Sequence, residues 1–354
     1  MLSNWAWAAP LLAWLLLALG QWVTAPPLIV GLLLGGVVIA AVHQAEIIAH
    51  RVGEPYGTLA LALSVTVIEV GLIISLMAGA PEEASTLARD TVIAAVMIIL
   101  NFIIGICLLI GGLRHREQTF QQTGVSASLA TLSALVVLSL VLPNFTVTEP
   151  GPVYAAPQLA FVGVVSLLLY GTFVTVQTVR HRDYFLPPGE LAFDEEAHVA
   201  PPTNRATLFA GLSLIASLVA VVLLAKQLAT PVEDALVALG APRAMVGVII
   251  AAVVLAPESM AAIRAAFANR IQTSLNLALG SALATIGLTI PAVAALSLTS
   301  GLSISLGLDP KGTVLLLLSL LVAAMTLSAG RTTIMQGAVH LVIFGVYLFT
   351  TIVP

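Results

Sequence analysis

Residues 57–78 read GTLALALSVTVIEVGLIISLMA, an apolar segment with a single carboxylate, Glu69, near its middle. A helix of about 20 apolar residues crosses the hydrocarbon core of a bilayer. A charged side chain at that depth costs at least about 2.5 kcal/mol on insertion scales, so intramembrane acids mark ion or proton pathways by default. The segment therefore predicts a membrane helix whose glutamate serves transport.

A second apolar segment, residues 243–267, carries Glu258 near its middle, within the sequence VVLAPES at 253–259. Pro257 has no amide proton, so the carbonyl of Val253 lacks its helical partner. A free carbonyl oxygen beside a carboxylate suits a hard cation such as calcium, which takes about six to eight oxygen ligands. A proline kink without a ligand role is the alternative. Together the two acids predict a cation site that also holds protons.

The composition of the whole chain agrees with this class of protein. Of its 354 residues, 59% are hydrophobic and 8% are charged, which predicts an all-α polytopic membrane protein. The net charge of -4 provides no basic surface for nucleic acid. The single cysteine, Cys107, excludes disulfides within the chain, and no His/Cys cluster has zinc spacing. We expect neither an enzyme nor a bound cofactor.

Apolar windows bounded by charges, prolines and glycines predict eleven spans: 5–20, 27–42, 57–78, 90–112, 125–143, 157–178, 206–226, 243–267, 273–299, 312–328 and 332–353. Of the 13 Lys and Arg residues, 9 lie in connections that follow even-numbered spans. By the positive-inside rule those connections are cytoplasmic. The N-terminus is then predicted inside and the C-terminus outside.

The ten spans after the first divide into two sets of five, which place Glu69 and Glu258 each in the second helix of its set. Because five is odd, the two sets insert with opposite orientation. Inverted repeats of this kind are typical of secondary transporters, with the site near the midplane. The predicted organisation is an N-terminal helix (1–24), a first repeat (25–179), a connecting segment (180–205) and a second repeat (206–354).

Hydroxyl and amide groups near the two acids are further candidate ligands. Thr66 shares a helical face with Glu69 at a separation of three, and Ser64 precedes it in the same stretch. In the helix after Glu258, Ser281 begins a stripe of hydroxyls at steps of four, for which a packing seam is the alternative. The predicted metal contacts are Glu69, Glu258, Thr66, Ser64, the carbonyl of Val253, Ser281 and Asn101, the strong polar group of the corresponding first-half helix.

Several short motifs follow one another in a specific order: GGLR at 111–114 before Glu117 and Gln118, Tyr170-Gly171 before Gln177 and His181, and Gly330-Arg331 before Gly337-Ala338 and Tyr347. With the two glutamates, they resemble the cation/proton exchangers of the calcium:cation antiporter superfamily, most closely the bacterial ChaA-type calcium (sodium, potassium)/proton antiporters. The resemblance implies calcium export from the cytoplasm by alternating access, with the glutamates binding cation and proton in turn. A sodium/calcium exchanger and a cation channel are the alternatives.

The resemblance also implies two inverted five-helix repeats after an extra N-terminal helix, an acidic cytoplasmic linker at 180–205, and a place in the bacterial inner membrane. The expected partners are transported Ca²⁺, Na⁺ or K⁺, protons and the lipid bilayer. No residue pattern specifies an oligomeric state.

The sequence departs from the family pattern at several positions. Many calcium/proton exchangers have Gly-Asn-x-x-Glu around each key acid, whereas Thr66 and Leu255 stand at the Asn positions here. This loss of amide oxygens predicts a broader site that admits sodium or potassium. The family acid Glu46 is present, but Lys226 occupies its counterpart position in the second half.

Lys226 has two interpretations. Its ammonium reaches the interface, or it pairs with a site carboxylate and gives up its proton when the metal enters. His43 lies three residues before Glu46 on one helical face, a pattern that suits either a proton entry path or two surface positions. In the last span, His340 follows Gln336 at a separation of four and is interpreted as a buried histidine with its hydrogen bonds satisfied.

Overall fold

A computed structural model of the chain describes residues 5–20, 25–53, 56–79, 84–186, 202–238, 240, 242 and 244–353. Its helices are α1 (Trp5–Leu19), α2 (Pro27–Val52), α3 (Tyr56–Gly79), α4 (Ala84–Met97), α5 (Ile104–His115), α6 (Gln122–Val136), α7 (Ala156–Thr175), α8 (Asn204–Ala238), α9 (Ala244–Phe267), α10 (Ile271–Ser300), α11 (Pro310–Leu327) and α12 (Ile334–Ile352).

These helices confirm the predicted fold class. Each of the eleven predicted spans coincides with a helix, with α4 and α5 together forming one continuous span. In the described part of the chain, nine helices are long and apolar enough to cross a membrane, and α1 is a shorter apolar helix. The described residues contain no strand beyond two isolated bridges, Thr119 with Arg331 and Val153 with Ser305.

Two helices run well past the ends that hydrophobicity predicted. The prediction ended α2 at 42, but the helix continues to Val52 and stops at Gly53, whose φ of 76° leaves the helical region. The prediction ended α8 at 226, but that helix has 35 residues, which is about 52 Å at 1.5 Å per residue. The hydrophobicity window ends where polar side chains begin. The helix itself continues, because its backbone hydrogen bonds do not require apolar side chains.

Short π-helical segments interrupt the regular geometry of the long spans. Ile98–Ile103 joins α4 to α5, Val137–Val141 follows α6, and Val176–Arg180 follows α7. Such insertions are rare and occur frequently at functional sites. The first of them carries Asn101.

The helices pack into two compact units. The first comprises Met1–Pro81 and Val199–Val246, in which α2 packs against α1, α3 and α8. Gln44 of α2 is fully buried there and donates to the carbonyl of Ala6 (3.1 Å) and to Oγ of Ser213 (2.7 Å). Ser217 Oγ in turn donates to Gln44 Oε1 at 2.9 Å, so one buried amide joins α1, α2 and α8.

The second unit comprises Glu82–His198 and Gly247–Pro354. Within it, α10 packs against α6 and α7, and α12 packs against α5. Glycine permits the closest approach of α5 and α12, because a Cβ at Gly337 would lie 2.5 Å from the backbone nitrogen of Leu109 and 2.8 Å from the carbonyl oxygen of Gly105. Small residues at such contacts are how membrane helices approach one another.

Each unit contains helices from both predicted halves, because α8 belongs to the first unit and α4 to α7 belong to the second. The repeat prediction concerns symmetry between the halves, which packing units do not test. The boundaries 1–24, 25–179, 180–205 and 206–354 therefore stay a prediction. Residues 187–201, which include the acidic part of the predicted linker, lie outside the described residues.

Candidate functional site

The carboxylate of Glu258 lies on α9, directly after Pro257. From the neighbouring helix α10, Ser281 Oγ donates a hydrogen bond to Oε2 of this carboxylate. Both side chains are half-buried. The structure thus brings together the second predicted acid and the hydroxyl that the sequence singled out as its best partner, and the pair offers several oxygen atoms to a cation.

The proline next to Glu258 does not interrupt its helix. α9 runs as one α-helix from Ala244 to Phe267, with Pro257 inside it. The hydroxyl of Ser259 bonds the carbonyl of Leu255 at 2.6 Å, which is local back-bonding within the helix. Val253 is half-buried, and its carbonyl keeps its predicted role as a ligand candidate because a proline four residues later cannot donate to it.

Glu69 is buried in the middle of α3, with 4% of its surface exposed. Thr66, one turn earlier, is 3% exposed, whereas Val67 between them is 50% exposed. The carboxylate and the threonine hydroxyl therefore share the inward face of α3, as their spacing predicted. Ser64 is half-buried in the same helix.

Asn101 is engaged in a different polar network. Its Nδ2 donates to Oγ of Ser319 at 2.8 Å, and its Oδ1 lies 3.2 Å from Nδ1 of His340. Since both polar ends of the amide already have protein partners, we leave Asn101 out of the proposed cation site. Nothing in the sequence indicated Ser319 as a partner, and the signals available for this network were Asn101 and His340, two strong polar residues within apolar spans.

The residues predicted for proton entry and charge balance lie on α2 and α8. His43 Nδ1 is 3.4 Å from Glu46 Oε2, and their side chains are 33% and 49% exposed. The imidazole ring also lies 6.3 Å from the ring of Trp5 in α1. Lys226 is exposed on α8. These side chains are accessible, in contrast to Glu69.

In the described part of the chain, no three His, Cys, Asp or Glu side chains group closely enough to hold a metal ion. The ligands that α9 and α10 offer around Glu258 are carboxylate, hydroxyl and carbonyl oxygens. Oxygen-only coordination suits Ca²⁺, Na⁺ and K⁺ rather than transition metals.

An all-helical membrane protein with a single carboxylate in the middle of each of two apolar helices has the construction of a secondary ion transporter. A family model described as "Sodium/calcium exchanger protein" matches residues 7–179 and 209–353. The chain belongs to this family, and with it to the calcium:cation antiporter superfamily that its motifs resemble.

Relatives cover nearly the whole chain. It is 50% identical over 356 residues to the "Putative ionic transporter y4hA" of Sinorhizobium fredii, a match that covers 99% of this chain and 96% of the relative. It is 35% identical over 312 residues to the "Sodium-potassium/proton antiporter ChaA" of Escherichia coli, covering 88% and 84%. The solved H⁺/Ca²⁺ exchanger CAX superposes with a TM-score of 0.71 at 16% identity over 97% of this chain and 86% of that one, which shows a shared fold.

Proposed function

We propose that this protein is a secondary antiporter that exports cytoplasmic calcium, and sodium or potassium as well, in exchange for protons. The observation that carries the proposal is the placement of Glu69 and Glu258 as single acids within apolar helices, with Ser281 hydrogen-bonded to the second. The names of the relatives support the same activity, since one is a sodium-potassium/proton antiporter and a structural neighbour is an H⁺/Ca²⁺ exchanger.

Competition between cations and protons for the same oxygens accounts for the exchange. Burial disfavours the ionised form of a carboxylate, whereas a bound cation favours it. Glu69 and Glu258 therefore release protons when a metal ion binds and take them up when it leaves. With both acids protonated, the empty carrier is neutral and reorients without carrying a charge across the membrane field.

The remaining ligands in the proposal are oxygen atoms near these acids. On α3 they are the hydroxyls of Thr66 and Ser64, and near Glu258 they are the hydroxyl of Ser281 and the carbonyl of Val253. Hard cations prefer such neutral oxygens beside carboxylates. Thr66 and Leu255 stand where many calcium/proton exchangers have asparagines, which favours a site that tolerates monovalent cations beside calcium.

Charge balance sets the expected stoichiometry. Moving one elementary charge against 100 mV costs about 2.3 kcal/mol. Export of one Ca²⁺ for two protons is electroneutral and avoids this cost, and two carboxylates match two protons. Each pH unit then supplies about 1.36 kcal/mol per proton, which for two protons supports a roughly hundredfold calcium gradient.

The test is transport in proteoliposomes with an imposed pH gradient, in which calcium, sodium and potassium are compared one by one. We expect Glu69→Gln and Glu258→Gln to abolish exchange, and Glu149→Gln, a change at an exposed acid outside the helices, to retain it. Undiminished cation flux in both Glu69→Gln and Glu258→Gln would refute the role of the glutamates. Cation flux without reciprocal proton movement would favour a channel, and calcium flux that needs a sodium gradient would favour a sodium/calcium exchanger.

We also propose that the protein resides in a bacterial cytoplasmic membrane, with its N-terminus inside and its C-terminus outside, on the basis of the Lys and Arg distribution. Cys107 is buried, which makes single-cysteine labelling practical once it is replaced by serine. A cysteine placed at Thr350 should react with a membrane-impermeant reagent added to intact cells, and one placed at Arg116 should not. The reverse pattern would invert the topology.

A further inference from the structure

The side chain of Gln118 connects the segment after α5 to the turn between α9 and α10. This side chain is buried, and its Nε2 donates to the carbonyl of Ala266 (3.2 Å) and to Oδ1 of Asn269 (2.9 Å). Because a backbone carbonyl only accepts hydrogen bonds, the bond to Ala266 fixes which end of the amide is the nitrogen. One buried amide therefore holds the last turn of α9 and the residues that lead into α10.

The backbone of Gln118 is anchored independently of its amide. Its N–H donates to Oγ1 of Thr332 (3.1 Å), and its carbonyl accepts from the N–H of Thr332 (3.0 Å). Thr332 lies between α11 and α12 and is fully buried. The amide oxygen of Gln118 rests against Gly111 of α5, where a Cβ would overlap it. The α9–α10 turn is thus held relative to α5 and to the start of α12.

This junction gives a structural role to motifs that the proposed cation site does not use. Gly112 and Gln118 belong to the first of the three sequence motifs, and Gly330 to the last. A Cβ at Gly112 would lie 2.9 Å from the backbone nitrogen of Ile334, and the N–H of Phe120 donates to the carbonyl of Gly330 at 3.2 Å. These residues allow the backbone segments to approach closely around Gln118.

Glu258 and Ser281 lie at matching distances from the α9–α10 turn. Glu258 stands nine residues before the end of α9 at Phe267, and Ser281 stands ten residues after the start of α10 at Ile271. At 1.5 Å per residue these separations are about 14 Å and about 15 Å. Both stretches are continuous α-helix. A displacement of the turn is therefore transmitted along both helices to the hydrogen bond between Ser281 and Glu258.

We propose that Gln118 is a positioning residue for the cation site, because its amide holds the α9–α10 turn and so sets Ser281 against Glu258. The proposal rests on the proposed function and deepens it, since the cation affinity then depends on a side chain at the end of the two helices. Gln118 hydrogen-bonds neither member of the pair and acts through the end of α9 and the turn.

The first test is a double-mutant cycle that combines Gln118→Met with Ser281→Ala. Methionine is unbranched, like glutamine, and has no hydrogen-bond donor. In proteoliposomes, we expect Gln118→Met to raise the half-saturating cation concentration roughly threefold to tenfold and to change the maximal rate by less than about twofold. In the Ser281→Ala background the same substitution should change that concentration by less than about twofold, because the hydroxyl that the turn positions is already absent.

A role of Gln118 in stability alone would give a different result. It would lower the amount of folded protein, or act by the same factor on the half-saturating concentration in both backgrounds. Equal factors in the two backgrounds would therefore overturn the proposal. An unchanged half-saturating concentration in a Gln118→Met protein that still exchanges cations for protons would overturn it as well.

Asn144→Ala is the control within the same unit. The amide of Asn144 donates to the carbonyl of Leu308 at 2.7 Å, in the connection that precedes α11. The variant therefore removes an amide hydrogen bond to a backbone carbonyl without touching α9 or the α9–α10 turn. We expect it to keep the half-saturating concentration of its parent in both the wild-type and the Ser281→Ala background. A shift equal to that of Gln118→Met would overturn the proposal.

A second variant tests the same bond if Gln118→Met does not fold. Asn269 has a φ of 60°, which glycine adopts without strain. Asn269→Gly removes the acceptor of one Gln118 hydrogen bond and leaves the bond to the carbonyl of Ala266. We expect a rise in the half-saturating concentration in the wild-type background and none in the Ser281→Ala background. No rise in either, or a rise by the same factor in both, would overturn the proposal.

Failure of the proposed function has its own signature. It would show as a wild-type protein without cation/proton exchange, or as undiminished flux when both glutamates are tested as glutamine variants. The outcomes that decide the role of Gln118 are measured in proteins that do exchange cations for protons, so the two failures are distinguishable.

Discussion

Ser281 Oγ donates a hydrogen bond to Oε2 of Glu258 and so connects α10 to α9 at the carboxylate itself. Hydrogen bonds to a charged acceptor are stronger than neutral ones. The bond holds the carboxylate in one orientation, while the lone pairs of the hydroxyl remain available to a cation. The serine can therefore contribute to cation binding both as a ligand and as a support for the acid.

Replacement of this hydroxyl should weaken cation binding. A hydrogen bond to a charged group contributes about 1.5–3 kcal/mol, so Ser281→Ala should lower the apparent cation affinity roughly tenfold to a hundredfold. The measurement is the cation dependence of exchange in proteoliposomes. Ser300→Ala is the control on the same helix, because that hydroxyl bonds only the carbonyl of Leu296. Equal affinities in the two variants would remove Ser281 from the site.

Lys226 should prove dispensable for coupling. The sequence allowed either an interfacial ammonium or one that pairs with a site carboxylate, and the exposure of this side chain on α8 favours the first. Lys226→Gln should therefore keep the wild-type ratio of protons to calcium and the wild-type pH profile. Lys226→Arg, which retains the charge, is the matched control. A changed ratio in the glutamine variant alone would restore the pairing hypothesis.

Close packing of α12 on α5 should depend on Gly337. A methyl group at Gly337 would meet the backbone of Leu109 at 2.5 Å, whereas the site around Gly345 on the same helix is open within 4 Å. Gly337→Ala should lower stability by about 1–3 kcal/mol through overpacking. Gly345→Ala should be neutral or stabilising by about 0.5–1 kcal/mol, since alanine is the better helix former.

Thermal unfolding in detergent, followed by the loss of the native chromatographic peak, compares the two alanine variants directly. Both variants replace a glycine of α12 with alanine, so they differ only in what surrounds the new methyl group. A Gly345→Ala protein that is as unstable as Gly337→Ala would show that the contact with α5 does not decide the outcome.

The sequence predicted the helices well because the membrane constrains them strongly. A helix satisfies its own backbone in lipid, so each apolar run of sufficient length had to become a helix. The shared face of Thr66 and Glu69 follows from local geometry alone. The ends of α2 and α8 were wrong, because apolar windows report the thickness of the hydrocarbon core, whereas a helix such as α8, with 35 residues, extends beyond it.

Contacts between distant helices were harder to predict. Asn101 looked like a ligand because it is a strong polar group in an apolar helix, yet its partners Ser319 and His340 lie 218 and 239 residues away in the sequence. His340 was expected to be buried with its hydrogen bonds satisfied. The burial is confirmed, but only Nδ1 has a protein partner among the described groups. Pairing across helices depends on packing, and local periodicity does not encode it.

Asn101 should act on stability rather than on cation affinity. Asn101→Leu removes the bonds to Ser319 and to Nδ1 of His340, and leaves that buried ring nitrogen without its acceptor. Each buried polar group that loses its partner costs about 1–3 kcal/mol, so the thermal midpoint of the variant should fall clearly. Ser319→Ala removes only the acceptor of Asn101 Nδ2 and keeps the contact of Asn101 with His340, so it should lower the stability less.

Both variants should keep the wild-type cation affinity, since neither side chain belongs to the proposed cation site. An Asn101→Leu protein of native stability with a greatly reduced affinity would return the amide to the set of cation ligands.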